Sequence, residues 1–252
     1  MGEDFAGAHV APGAELGHDV SVAPGAIIHD GVRIGADTSI GSCAVLMSGA
    51  TVGRDCVIEA GAIIAKQPRL RPGSSARSEH QLGELVLESG VTVCSGAVVY
   101  AGSRIGTGAI IGDQAQVRER VTIGAGTVVG RGSSVDFAAV VGERVLIQTG
   151  VYVTGGCVVE DDVFLGPGVL TTNDDTMGRH LRGAGLRAPM FRRACRVGGG
   201  AVIVPGVEIG AEAFVAAGAV VTSDVGEREV VMGIPARTVR RVEDEDLLEA
   251  WR

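Results

Sequence analysis

Aliphatic residues recur at every sixth position along most of this chain. The beat starts at Val10 and runs through Leu16, Val22, Ile28, Ile34, Ile40, Leu46, Val52, Ile58 and Ile64. It returns at Leu87 and continues through Val93, Val99, Ile105, Ile111, Val117, Ile123, Val129, Val135, Val141, Ile147, Val153, Val159 and Leu165. After a second gap it resumes with Val197, Ile203, Ile209, Val215 and Val221. Twenty-nine positions keep the rule without one polar substitution. Four residues after each marker stands Ala, Val, Ser, Thr or Cys in nearly every case, often preceded by Gly. Glycine suits a corner that needs positive φ, and the small residue suits a tight inward position. The pattern predicts a coil of short strands, each too small to bury its own face, stabilised by stacking on its neighbours.

Two gaps break the beat. Residues 65–86, with "KQPRLRPGSSARSEHQ", are basic and carry Pro and Ser; residues 172–196 follow "LTTNDDTMGRH". Both are expected to leave the coil as excursions, and loops on a rigid scaffold are favoured places for function. The coils are then expected over about 9–64, 87–171 and 197–225, in one domain spanning 1–252. The ending "VEDEDLLEAW" predicts a short amphipathic helix over about 241–252 that caps the last coil and covers its open edge.

Composition narrows the class. Aromatics are 3% of the 252 residues, so small and branched aliphatics must fill the core. A net charge of -8 argues against a nucleic-acid or anionic-membrane binder acting through general electrostatics. No basic start followed by an apolar run and no eighteen-residue apolar stretch is visible, so a cytoplasmic protein is expected. Cys43, Cys56, Cys94, Cys157 and Cys195 form no CxxC pair and fit neither zinc spacing nor a disulfide framework. Most sit in the repeat, where a thiol is a small apolar filler, and no metal site is expected.

The hexapeptide rule resembles that of the left-handed parallel β-helix acyltransferases. That resemblance implies an all-β fold, three hexapeptides per triangular coil, and the left hand itself. Twenty-nine hexapeptides then give about ten coils, spaced roughly 4.8 Å apart. Positions eighteen apart stack, and the residue after each marker forms three outward columns. Two columns are largely glycine, with Gln148 in one and Glu160 in the other. The third is polar throughout: Tyr100, Arg118, Asp136, Thr154 and Thr172. One residue further on it reads Ala101, Glu119, Phe137, Gly155 and Asn173, so the second excursion extends the polar edge. Polar, ring-bearing and carboxylate groups beside a loop fit a ligand edge.

Within the family, "IQTGVYVTGGCVVEDDVFLGPGVLTTND", "VGGGAVIVPGVEIGAEAFVAAGAVVTSDV" and "VVMGIPARTVRR" resemble the nucleotide-linked amino-sugar N-acetyltransferases. The resemblance implies a homotrimer with sites between subunits and acetyl-CoA as cosubstrate along the last coils, around Gly199, Gly200, Ala216, Ala217 and Gly218. Arg237, Arg240 and Arg241 are candidates for its phosphates. Attack of a neutral amine on a thioester needs positioning, a proton acceptor and an oxyanion donor. Candidates for the first two roles are Asn173, Asp174, Glu160 and His180. Tyr100, Arg118, Glu119, Asp136, Gln148, Thr149 and Arg179 are candidates for the acceptor. The family's Gln-Asn-Asn run reads Gln148, Thr149, Gly150 here, which puts an asparagine role at Thr149 in doubt. Lys66, Arg69 or Arg71 of the first excursion are candidates for a nucleotide diphosphate.

Other members of the fold fit less well. No histidine lies on the fourteen central hexapeptides, against the three converging histidines of γ-carbonic anhydrases and the central one usual in lipid A acyltransferases. Serine acetyltransferases add a helical N-terminal domain, which is not found here. Tetrahydrodipicolinate acyltransferases remain an alternative, as does a non-catalytic trimeric β-helix scaffold, for which the loop and the arginine-rich ending would be unnecessary.

Overall fold

The computed structural model describes residues 7–71, 74, 76, 81–179 and 185–251. The chain winds as a parallel β-helix with three faces. Sheet 1 starts with His9–Val10, sheet 2 with Glu15–Leu16 and sheet 3 with Ser21–Val22. They hold 11, 10 and 12 strands, and each strand pairs with the strand one coil on. In sheet 1 Val99 pairs with Val117, Val117 with Val135 and Val135 with Val153, all buried. The markers thus form inward aliphatic ladders, and stacking satisfies the backbone of strands only two residues long.

The small inward position explains its tolerance for Ser and Thr. Ser133 Oγ donates to Gln148 O at 2.8 Å and accepts from Val151 N at 3.0 Å. Thr127 Oγ1 does the same between Gly142 O and Val145 N. A hydroxyl that bridges two backbone groups of the next coil carries no unsatisfied donor into the core.

Two strands lie where the aliphatic beat is silent, Leu170–Thr171 and Met190–Phe191. Thr171 and Phe191 are buried at marker positions. Thr171 Oγ1 donates to Tyr152 O and accepts from Thr154 N, so a bridging hydroxyl takes the place of an aliphatic group. Phe191 pairs with Val159. The second excursion therefore returns to the coil at Met190 rather than after 196, and the solenoid has more strands than the markers alone imply.

The ending differs from the expected amphipathic helix. Glu229–Met232 continues sheet 3 and reverses into the antiparallel strand Arg237–Arg241, which closes the last coil. Only two 3₁₀ turns follow, Asp244–Asp246 and Leu248–Trp251. Glu243 and Asp246, three residues apart, would face each other as like charges on a helix. Separate partners on the coil hold the segment instead: Arg228 pairs with Asp244 and Arg193 with Glu249, while Leu248 N donates to Glu212 Oε1. No helix among the described residues is long and apolar enough to cross a membrane.

Candidate functional site

The three edges of the solenoid are unequal. At the second corner, between sheets 2 and 3, and the third, between sheets 3 and 1, the residue after the marker is usually glycine. A Cβ at Gly106 would lie 2.7 Å from Ala125 N, and one at Gly112 would lie 2.8 Å from Val129 O. The next coil's backbone leaves no room for a side chain. The first corner, between sheets 1 and 2, instead carries Tyr100, Arg118, Asp136 and Thr154. Both excursions leave from it, after Ile63–Lys66 and after Leu170–Thr171. The polar column lies between their roots.

Arg118 organises this corner. Its Nε and Nη2 form a two-pronged bond to Glu119 at 2.8 and 2.9 Å, and Nη1 reaches Asp136 Oδ1 at 3.1 Å. The Glu119 side chain is fully buried, at 0% exposure, and Arg118 keeps 21%. Burial alone would lower the guanidinium pKa, but the hydrogen bonds and charge of Glu119, then Asp136, outweigh it and raise it. Asp136 also accepts from Phe137 N at 2.9 Å and from Tyr152 Oη at 2.8 Å. Burial first, then that bond to Asp136, pushes the Tyr152 phenol up to about 12. Lys66 Nζ lies 5.2 Å and Arg118 Cζ 5.4 Å from the centre of the Tyr100 ring, whose hydroxyl accepts from Gln116 Nε2 at 3.2 Å. The Phe137 ring lies against Gly155, where a Cβ would come within 2.7 Å of it.

Asn173 joins the same corner from the second excursion. Its Nδ2 donates to Gly155 O at 2.9 Å and its carbonyl accepts from Arg187 N. The side-chain bond fixes the amide orientation and leaves Oδ1 as the acceptor end of that amide. Asp174 has a loop-holding part: Oδ1 accepts from Thr176 N and Oγ1 at 2.8 and 2.7 Å, and Oδ2 from Gly178 N at 2.7 Å. Arg179 is exposed, with its N–H on Thr176 O. His180 lies outside the described residues.

The remaining nominated residues occupy the other edges. Glu160 is at the second corner, held by Arg192 Nη1 at 2.9 Å and Arg193 N at 2.8 Å. Gln148 and Thr149 are at the third corner, whose later coils present Gly199, Gly200, Ala216, Ala217 and Gly218. A Cβ at Gly199 would sit 3.1 Å from Pro167 O; Gly200 and Gly218 take φ of 69° and 70° with open space outside. Turn geometry accounts for the latter two, and the same geometry leaves their backbone uncovered. Arg237 and Arg240 lie on the exposed last strand, and among the described residues their side chains bond backbone carbonyls.

One chain thus gathers Tyr100, Arg118, Glu119, Asp136 and Asn173, and separates them from Glu160 and from Gln148 and Thr149. Tyr152, Gln116 and Lys66 belong to the gathered group although the outward columns omit them. The signal for Gln116 and Tyr152 was in the sequence one residue before the markers, where Gln116, Ser134 and Tyr152 interrupt an apolar run between Val98 and Leu170. Cys94 also has company that spacing did not disclose: its thiol, Glu59 and Asp113 present ligand-capable atoms within 4.8 Å of one another. Burial, then the charges of those two carboxylates, pushes that thiol up, and Glu59 already accepts from Ser95 N and Oγ. Burial likewise pushes Cys157 and Cys195 up, which leaves both inert as nucleophiles.

Residues 31–66 match the bacterial transferase hexapeptide repeat, and residues 120–155 and 194–223 match the hexapeptide repeat of succinyl-transferase. The chain is 32% identical over 184 residues to the bifunctional protein GlmU of Shouchella clausii, covering 67% of this chain and 37% of that protein. It is 34% identical over 89 residues to serine acetyltransferase 2 of Arabidopsis thaliana, covering 35% and 28%. These relatives are matched over well under half of their own lengths. Among solved structures, a point mutant of AntD, an N-acyltransferase from Bacillus cereus in complex with dTDP and coenzyme A, superposes with a TM-score of 0.50 at 17% identity over 57% of this chain and 84% of that one; this likeness is one of fold. By its repeats and their stacking, the chain belongs to the hexapeptide-repeat β-helix acyltransferase family.

Proposed function

We propose that this protein is an acyl-CoA-dependent N-acetyltransferase whose acceptor is the amine of a nucleotide-linked amino sugar, working as a homotrimer with each site between two subunits. The observation that carries the reading is the first corner. A coil otherwise built from glycine and aliphatics holds a fully buried carboxylate that fixes one guanidinium beside Asp136, whose other oxygen takes the Tyr152 hydroxyl, with Asn173 further along the same corner. A scaffold has no need of that arrangement, and a relative with the same repeats is a serine acetyltransferase.

The chemistry follows from what the corner offers. Arg118 is held by two carboxylates and the buried thiols Cys157 and Cys195 are inert, so the corner supplies recognition and orientation rather than a covalent nucleophile. Direct attack of the amine on the thioester fits this. In the proposal Asn173 Oδ1 accepts an N–H of the attacking amine and aims its lone pair. Arg118, Asp136 and Tyr152 hold hydroxyls of the acceptor, with the Phe137 ring as an apolar wall. Acetyl-CoA lies along the third corner of a neighbouring subunit, on the backbone of Gly199, Gly200, Ala216, Ala217 and Gly218, with Arg237 and Arg240 toward its phosphates. The N–H groups of Gly200, Ala216 and Gly218 are committed to Pro167 O, Val231 O and Gly199 O, so those of Gly199 and Ala217 are the candidates for stabilising the oxyanion, and His180 is the candidate for the departing proton. Glu160 and Asp174 keep the frame of the second corner and of the loop.

A hydroxyl acceptor is the second reading, favoured by the serine acetyltransferase likeness. One assay separates them: coenzyme A release from acetyl-CoA, followed with a thiol reagent across nucleotide-linked amino sugars, amino dicarboxylates and serine. Release with an amino sugar supports the main reading, release with serine alone transfers support to the second, and no release with any acceptor removes both.

A further inference from the structure

The first excursion is fastened to the coil on both sides of its basic run. Arg120 Nη2 donates to the carbonyl of buried Ala76 at 2.8 Å. Leu82 lies over Gly102, where a Cβ would sit 3.3 Å from its Cδ2. Glu84 accepts from Arg33 at 2.5 Å and from Thr51 at 3.3 Å. At the root, Lys66 pairs in register with Tyr100 across an irregular step of sheet 1 and places its ammonium over that ring. From there exposure alternates: Lys66, Pro68 and Leu70 are half-buried, while Gln67, Arg69 and Arg71 are exposed. Alternation of this kind marks an extended segment with its apolar side down. Arg69 and Arg71 then stand on one side, roughly 7 Å apart.

Charge sets this segment apart from many of the coil's arginines. Acidic residues outnumber Lys and Arg by 30 to 22, and Arg33, Arg54, Arg104, Arg118 and Arg144 each hold a carboxylate. Among the described residues no carboxylate pairs with Lys66, Arg69 or Arg71. Three cations left uncompensated on a fastened strap, at the corner where the polar column begins, form a local attractor in an acidic protein. Two forks about 7 Å apart match two anionic groups better than one.

We propose that the 66–71 strap is an anion-binding subsite that takes the doubly charged end of the acceptor, while Arg118, Asp136, Tyr152 and Asn173 face the end to be acylated. The proposal rests on the acyl-transfer reading for the word acceptor; the dianion site itself does not. The ligand chemistry is a dianion, either a diphosphate or a dicarboxylate. Titration calorimetry on the full chain with symmetrical dimethyl pyrophosphate, a diphosphate diester with two charges, and, separately, pimelate distinguishes those sources. We expect one of the two to bind, to weaken as salt is raised, and to lose at least tenfold in affinity in Lys66→Ala/Arg69→Ala/Arg71→Ala. Arg69→Gln/Arg71→Gln, which changes only exposed side chains, should show most of that loss with coenzyme A binding kept. No binding of either dianion to the unaltered protein, or equal binding by the variants, overturns the proposal. Dianion binding that depends on the strap, without coenzyme A release from any acceptor, would leave the strap standing and remove the acyl-transfer reading. Coenzyme A release with an unchanged KM in the strap variants would do the reverse.

Discussion

Arg118→Ala should cost this protein more stability than Glu119→Ala, although both delete the same ion pair. The asymmetry lies in what is left behind. Removing Arg118 strands the Glu119 carboxylate at 0% exposure, and Arg118 supplies its side-chain hydrogen bonds at 2.8 and 2.9 Å. A buried charge stripped of its partner costs about 3–5 kcal/mol. Removing Glu119 leaves a guanidinium that still has Asp136 at 3.1 Å and a fifth of its surface in water. Losing a hydrogen bond to a charged group then costs about 1.5–3 kcal/mol. The gap is about 2 kcal/mol, which for a chain of this size separates the melting temperatures by roughly 5 °C. Arg118→Met/Glu119→Leu, which removes both charges and keeps volume, should cost less than Arg118→Ala alone.

Circular dichroism melts of the four proteins at one protein concentration read this directly. Because a solenoid unfolds by neighbouring coils, amide exchange over residues 116–122 is the companion measurement and should be fastest in Arg118→Ala. If Glu119→Ala melts as low as Arg118→Ala, or the double replacement costs the sum of the two alanine variants, the buried carboxylate is not what the guanidinium is there to neutralise.

The Tyr152 phenol is held near 12 against about 10 in an unfolded chain. A raised folded value means that its stabilising contribution is complete below pH 10 and is lost as pH rises through about 12; it amounts to about 2 kcal/mol. Tyr152→Phe should flatten that loss, and the chain's only other tyrosine, Tyr100, makes the phenolate absorbance easy to assign; titration of Tyr152 near 10 in the folded protein would refute the bond to Asp136. Gly166→Ala drives a Cβ to 2.6 Å from Gly199 N, whereas Gly132→Ala meets nothing and bears only its φ of 66°. The first should lower stability by about 3 kcal/mol and the second by about 1 kcal/mol, and equal urea midpoints would mean that adjacent coils are not packed backbone to backbone there.

The fold was readable because an inward position of a stacked coil admits so little else. Every aliphatic marker predicted a ladder rung, and two of the rungs it missed have chemical reasons. Thr171 substitutes a bridging hydroxyl for a methyl, and Phe191 brings a ring into a core otherwise poor in rings. The ending misled because "VEDEDLLEAW" has helical apolar spacing while Asp244 and Glu249 are held by arginines of the coil. For the candidate site, the eighteen-residue step brought Tyr100, Arg118 and Asp136 into one column, and the structure gathers them. Tyr152 and Gln116 were missed because a strand face, not a corner, carries them; Lys66, nominated for a nucleotide diphosphate, was not tied to the column because a strand extension carries it. Glu160 and Asn173 stand near each other in sequence, yet one lies at the second corner and the other at the first, since six residues turn the chain onto a new face.

That both excursions leave one corner has a physical cause in the same packing. At the second and third corners the next coil's backbone crowds the residue after the marker, so glycine is the usual solution. At the first corner the strands Ile63–Lys66 and Val98–Tyr100 run past the usual two residues, and their pairing shifts at Lys66. An edge that already accommodates side chains also accommodates inserted chain, so chemistry and loops accumulate there together. Five coil steps separate the two roots, about 24 Å at the spacing of adjacent strands. A solenoid edge is convex and encloses nothing by itself. Strap, polar column and Asn173 loop give it two ends and a floor, with the strap's cations at one end and the Asn173 acceptor at the other. An acceptor bound between them would have to be long, charged at the strap and neutral at the loop, where an amine must arrive without its proton to attack.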